Sequence, residues 1–317
     1  MGSIMSRYVK LLERLRNGSQ VMIDGGTGTE VERRGVPQLE NAWNGGGALS
    51  HPDIVRGIHM DYIRHGVEIV ISNTFATSRN LLEDAGVPEL FTDYNRRGVE
   101  LACEARDAMG RQDVLVAGGI SHWSFTGKLP SLDDLRDGAS EQAMIMKQAG
   151  ADLIMLEMMI EIPRMLAVLE GAKTSDLPVW VGVSCAPDSN GTMCLQAAEA
   201  DANGVMIGGR ETLVDAIAAL AGKDVPLLSI MHTDVAHIDA CLDIVEANWD
   251  GLVGLYAHSG EFIDGNWNFE GTISPEDFAS ACQRWLGRNV QIIGGCCGIR
   301  PDHIAALSTH VYGDSAQ

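Results

Sequence analysis

Short apolar runs recur along the chain at intervals of roughly forty residues, the spacing of βα units in a barrel of eight. They predict strands at Val21–Ile23, Glu68–Ser72, Val114–Ala117, Leu153–Leu156, Val179–Val183, Leu227–Met231, Leu252–Leu255 and Gln291–Ile293. Between most of them the apolar period changes to that of a helix. Ile54, Ile58 and Tyr62 share one helical face, as do Val99 and Cys103, and Phe278, Cys282 and Trp285. No linker, low-complexity block or shift in composition marks a second domain. Residues 1–317 therefore read as one α/β domain, a (β/α)8 TIM barrel.

In such barrels the active site forms at the C-terminal ends of the strands, where the βα loops converge. Those ends carry, in order, Asp24-Gly25-Gly26, Asn73-Thr74-Phe75, Gly118-Gly119, Glu157, Ser184-Cys185, His232, Tyr256-Ala-His258-Ser-Gly-Glu261 and Gly294-Gly-Cys296-Cys297-Gly298. Polar and ligating groups thus collect on one rim. A doubly wound sheet also puts residues at strand ends, but it gathers them at one switch point instead of on eight loops.

Composition narrows the partners. With 317 residues, 45% of them hydrophobic, the chain can bury a large core. Its formal charge of −20 argues against nucleic acid and against an anionic membrane surface, both of which need clustered Lys and Arg. A cationic small ligand would be drawn to such a field, although solubility or a saline habitat is the readier explanation of the charge. No window has the apolar length of a membrane span, and Met1-Gly-Ser-Ile-Met-Ser-Arg7 lacks the apolar core of a signal peptide. Seven cysteines, an odd number, fit a reducing compartment better than a disulfide framework. The expected location is the cytoplasm.

The cysteines also point to chemistry. Cys296 and Cys297 follow an apolar strand directly, in a bend made permissive by Gly294, Gly295 and Gly298. Adjacent cysteines seldom serve packing, and thiolates are soft ligands that Zn2+ takes readily. A catalytic zinc needs three protein ligands and one open position, so this pair suggests metal-assisted chemistry, against an inert loop or a redox pair as the alternatives. Cys103, Cys241 and Cys282 lie on apolar helical stripes and read as small core hydrophobes. Cys185 and Cys194 bracket a turn-rich loop, Ala186-Pro-Asp-Ser-Asn-Gly191, and stay ambiguous. The glycines of Gly25-Gly-Thr-Gly28 do not meet the spacing of a dinucleotide fingerprint.

Taken in order, Asp24-Gly-Gly-Thr-Gly-Thr-Glu30, Trp43 before Ser50-His-Pro-Asp53, Asn73-Thr-Phe75, Glu157, Tyr256-Ala-His-Ser-Gly-Glu261 and Gly294-Gly-Cys-Cys-Gly298 resemble the homocysteine S-methyltransferases over nearly the whole chain. The resemblance implies a (β/α)8 barrel in which zinc holds the homocysteine sulfur as a thiolate that attacks the methyl group of a sulfonium or quaternary ammonium donor. It implies that Glu157 receives the ammonium of homocysteine and that Asp24, Gly25 and Gly26 engage the amino-acid backbone. Trp43 matches the family's tryptophan, and Phe75 stands where relatives often carry tyrosine. Trp123 and Tyr256 are further aromatic faces near strand ends, suited to a cationic methyl donor.

One departure concerns the third metal ligand. The family's sixth strand ends in cysteine, whereas Ser229-Ile-Met-His232 stands here. Imidazole is an acceptable zinc donor, so the implied set becomes His232, Cys296 and Cys297, with Cys185 or His258, or loss of the metal, as alternatives. Three thiolates on Zn2+ leave a net charge of −1; two thiolates and a neutral imidazole leave zero, which lowers the bound thiol's pKa and makes its thiolate less nucleophilic. His122 and the Ala257-His258 pair also depart from the family's pattern, so the donor does not carry over. The alternatives to homocysteine methylation are methylation of another small thiol, a metal-dependent barrel hydrolase with water in the open position, and a metal-free binding barrel.

Overall fold

The computed structural model of the chain describes residues 4–200, 206–263 and 266–313. Its centre is eight parallel strands: β1 (Val21–Met22), β2 (Ile69–Ile71), β3 (Leu115–Ile120), β4 (Leu153–Met159), β5 (Val179–Val183), β6 (Leu227–Asp234), β7 (Leu252–His258) and β8 (Ile292–Gly295). They pair in the order β1-β8-β7-β6-β5-β4-β3-β2, and a parallel bridge from Ile23 to Ile69 joins β1 to β2 and closes the ring. The fold is a (β/α)8 TIM barrel, with every predicted strand in place. Several strands run farther toward the rim than their apolar runs, because polar rim residues still pair with their neighbours.

Alternation along each strand separates two cores. Leu153 and Met155 of β4 point into the barrel with Ile69, Leu115, Leu227 and Ile292, while Ile154 and Leu156 face the surrounding helices. The helices meet that outer layer with the faces read from the sequence, including buried Ile58, Tyr62, Val99, Phe278, Cys282 and Trp285. Helix Ile4–Arg16 covers the N-terminal end of the barrel. Its Leu11 and Leu15 join the interior cluster, Arg7 pairs with buried Asp152 at 2.7 Å, and the Trp180 indole N–H donates to Tyr8 Oη at 3.1 Å. That end is sealed, which leaves the opposite rim open for chemistry.

Two accessory sheets sit on that rim. Cys185–Pro187, Met193–Ala200 and Met206–Thr212 form an antiparallel sheet after β5, and Glu261–Ile263 pairs with Asn266–Asn268 after β7. The segment bracketed by Cys185 and Cys194 is therefore a hairpin, where the sequence suggested only a loop. Its turn is tightened by Asp188, whose Oδ1 accepts from the backbone N–H groups of Asn190 and Thr192, each at 2.8 Å. Among the described residues no helix is long and apolar enough to cross a membrane.

Candidate active site

The rim opens into a cavity of about 890 Å3, and all nine residues singled out from the sequence line it: Asp24, Gly25, Gly26, Trp43, Phe75, Glu157, His232, Cys296 and Cys297. They reach it by different local devices. Glu157 shares the inward parity of Leu153 and Met155, one layer higher. Just past the end of β8, Cys296 keeps the parity of Ile292, and its side chain packs against the interior cluster.

His232 needs more than alternation. Leu227 and Met231 point inward, so strict alternation would send the next side chain outward. Instead β6 carries a bulge: its register with β7 passes from Met231↔Tyr256 to Asp234↔His258, two residues opposing one. His232 adopts a φ of 44°, a left-handed backbone uncommon outside glycine, and its ring lines the cavity. Met158 on β4 and Trp43 share this feature, with φ of 57° and 42°. With Asn41, at φ 58°, four left-handed residues other than glycine line one cavity, the pattern of a functional site.

His232 Nδ1 faces Cys296 Sγ at 3.7 Å, and Cys296 Sγ lies 3.9 Å from Cys297 Sγ. One ligand atom from each of the three residues lies within 4.8 Å of the others. Zinc bonded at about 2.3 Å to sulfur and about 2.0 Å to nitrogen in a tetrahedron sets its donors about 3.5 to 3.8 Å apart. Two thiols and an imidazole at these distances fit such an ion. The other candidates do not join them. Cys185 is buried against Cys241. His258 packs on His232 at 4.7 Å between ring centroids, with Nε2 3.9 Å from Asp234. His122, which departs from the family's pattern in the third loop, accepts the Ile160 N–H at 3.3 Å.

Sequence reasoning missed Glu199 and Trp267, which both line the cavity. Glu199 Oε1 lies 3.3 Å from His232 Nε2 and accepts the Trp267 indole N–H at 3.0 Å. Both residues sit on the accessory sheets. No motif or spacing marks them, since the relation appears only when those sheets fold over the rim.

The electrostatics divide the cavity. Burial lowers the His232 imidazole, but Glu199 and the contact with Cys296 outweigh it and raise it to about 10 in the metal-free site. Cys297 and burial push the Cys296 thiol well above its ordinary value, opposed by His232. Across the cavity, burial raises Glu157 to about 8, with a smaller opposing pull from His232. Asp24 is also pushed well above the carboxylate range, mainly by burial; the Ile71 N–H, donating to Oδ2 at 2.8 Å, opposes this and the charge of Glu157 adds to it. The Glu157 carboxyl occupies the space of an absent side chain: a Cβ on Gly119 would lie 2.4 Å from Oε2. Nearby, the buried Tyr256 hydroxyl has no hydrogen-bond partner among the described residues.

Gly25 and Gly26 have a protein-side reason as well. A Cβ on Gly25 would meet Ile299 O at 2.6 Å, and one on Gly26 would meet Cys296 O at 2.7 Å, so the first loop can lie against the double-thiol loop only without side chains. Gly28 lies under the Trp43 ring in the same way, with a Cβ contact of 2.7 Å. Trp43 also donates its indole N–H to Glu32 at 3.4 Å, which turns its face to the cavity.

Residues 21–311 match the homocysteine S-methyltransferase family. The chain belongs to that family. It is an S-methyltransferase. Among its relatives are a selenocysteine Se-methyltransferase of Brassica oleracea var. italica, 25% identical over 92% of this chain and 88% of the relative, and betaine–homocysteine S-methyltransferase 1 of Rattus norvegicus, 27% identical over 94% and 74%. The metallated form of the homocysteine methyltransferase MmuM from Escherichia coli shares the fold, with a TM-score of 0.74, 22% identity, and coverage of 94% of this chain and 99% of that one.

Proposed function

We propose that this homocysteine S-methyltransferase family member moves a methyl group from a sulfonium or quaternary ammonium donor to the thiol of homocysteine, forming methionine, with a zinc ion held by His232, Cys296 and Cys297. One observation carries the reading. The three ligand groups converge on a cavity that also contains the buried carboxyls of Asp24 and Glu157 on its other side, and the Glu157 carboxyl has no hydrogen-bond partner among the described residues. An acceptor bearing both a thiol and an ammonium would satisfy both ends at once.

Bound zinc would supply a Lewis acid that keeps the acceptor sulfur as a thiolate at neutral pH. The remaining work falls to this chain's own residues. Glu157, ionised by the approach of the ammonium, fixes one end of the acceptor, with Asp24 beside it. Trp43, Phe75 and Trp123 wall the space open to the donor, where an onium methyl favours aromatic faces. Among the described lining residues there is no Lys or Arg, while Asp24, Glu32, Glu40, Glu157 and Glu199 are acidic, a field suited to a cationic donor. Sulfur forms a bond to the methyl carbon as the carbon–onium bond breaks, and its electron pair stays on the donor heteroatom. The leaving group departs neutral, so no general acid is needed, and alignment accounts for the protein's share. Reducing conditions, as in the cytoplasm, keep both thiols free for this role.

The test is direct. Zinc-loaded protein is incubated with homocysteine and a panel of sulfonium and quaternary ammonium donors, and products are read by mass spectrometry. Methionine with at least one donor supports the reading; none with any donor overturns it.

A further inference from the structure

We infer that Glu199, anchored by Trp267, is the positioning carboxylate of the His232 ligand and supplies the negative charge that a third thiolate would otherwise bring. The inference rests on the metal-dependent reading above.

The two nitrogens of His232 face different partners. Nδ1 faces Cys296 Sγ, 3.7 Å away, and Nε2 lies 3.3 Å from Glu199 Oε1, close enough for an ion pair, though the ring is not turned into hydrogen-bond alignment with that oxygen. A ligating imidazole must present a lone pair to the metal and keep its proton on the other nitrogen, so with Nδ1 on the metal a small turn of the ring would let Nε2–H donate to the Glu199 carboxylate beside it. Glu199 is itself fixed. Its Oε1 accepts the Trp267 indole N–H at 3.0 Å, and the carboxylate is nearly buried. The Trp267 ring then stands edge-on to His232 at 5.3 Å and to His258 at 5.1 Å, which holds the imidazole plane from the side.

Charge counting gives the arrangement a purpose. Two thiolates and a neutral imidazole on Zn2+ sum to zero, and the adjacent carboxylate returns the assembly to −1, the value for three thiolates. A buried carboxylate on the far nitrogen also makes the imidazole a stronger donor. The two accessory sheets, which carry Glu199 and Trp267, are thus part of the metal site: they let histidine stand where a thiolate would serve.

The experiment compares Glu199→Gln, Glu199→Asp and Trp267→Phe in the full chain, each also in a His232→Cys background. Zinc affinity is measured by competition with a chromophoric chelator, and ligand geometry by the absorption bands of the cobalt-loaded protein. We expect Glu199→Gln to weaken zinc binding about ten- to a hundredfold and to shift the cobalt bands. Glu199→Asp should recover part of the loss, and Trp267→Phe, which removes the anchoring N–H and trims the ring while leaving the carboxylate in place, should give a smaller shift in the same direction. With Cys at 232 there is no ring to orient, so Glu199→Gln should leave zinc affinity unchanged. Equal losses in both backgrounds would mean a merely structural role and overturn the inference. Wild-type zinc affinity and cobalt bands in Glu199→Gln would overturn it alone, whereas a wild-type chain that takes up no metal would remove the metal-dependent reading with it.

Discussion

Cys296 Sγ lies 3.7 Å from His232 Nδ1 although 64 residues separate them and strand β7 stands between their own strands. Ordinary alternation on β8 delivers the thiol, and a bulge with a left-handed residue on β6 delivers the imidazole. A left-handed residue kept at this point is the mark of a functional position, and metal binding is where a role for the pair should appear.

Zinc should bind at close to one atom per chain, and Cys296→Ala or Cys297→Ala should abolish binding while the far-UV circular dichroism stays that of the wild type. The barrel interior and helix layer form an extensive core that does not depend on one ion. Elemental analysis under reducing conditions checks this, and a wild-type chain still metal-free in excess zinc would refute it.

His232→Ala should lower zinc affinity at least about tenfold, and His232→Cys should restore it. The metal-free imidazole, raised to about 10, carries a proton at neutral pH that the metal must displace. Zinc uptake should therefore release protons, from the imidazole as well as the thiols, and apparent affinity should rise with pH. The same proton contributes stability to the metal-free fold below about 6.5, and that contribution is lost as pH rises through 10. Calorimetry in buffers of different ionisation enthalpy counts the protons; no release at neutral pH would contradict the assignment.

Glu157→Gln should weaken acceptor binding far more than donor binding, by about 1.5 to 3 kcal/mol, the usual worth of a charge-assisted hydrogen bond. With Glu157 raised to about 8 in the empty site, acceptor affinity should strengthen as pH climbs from 6 toward 8, because only the ionised carboxyl pairs with an ammonium. Between about 4.5 and 8 the folded chain keeps a proton that the unfolded chain has lost, so this group's contribution to stability declines as pH rises through that window. Titration of acceptor binding across this range decides it. A flat profile, or unchanged affinity in Glu157→Gln, would remove Glu157 from the acceptor site.

Trp43→Ala should cost donor binding about 0.5 to 2 kcal/mol, the range for a cation over an indole face, and leave acceptor affinity nearly intact. In the acidic cavity, donors with a net positive charge should outperform zwitterionic betaine in kcat/KM. Equal turnover of a cationic sulfonium and betaine would show that the carboxylates lining the cavity do not select the donor.

Much of this was legible in the chain because it is written locally. Apolar runs mark strands whose both faces are buried, and helical stripes such as Phe278, Cys282 and Trp285 record which side meets the barrel. Cys296 and Cys297 announce themselves by adjacency, and Glu157 by ending an apolar run. Glu199 and Trp267 carry no such mark. Each lies on a short antiparallel strand whose pairing depends on the rim beneath it, and neither has a neighbour in sequence that explains its charge or its indole.

The sequence by itself determined the barrel, its sense and the rim on which polar groups gather, since parity and periodicity are properties of consecutive residues. Tertiary structure alone decided that His232 turns inward against its parity, that Cys185 and His258 stay out of the ligand group, and that Glu199 meets the second nitrogen of His232. Those are relations between side chains set by bulges and by sheets folded across the rim. Their energies come from burial and from charges brought within a few ångströms, quantities that do not exist until the chain has closed.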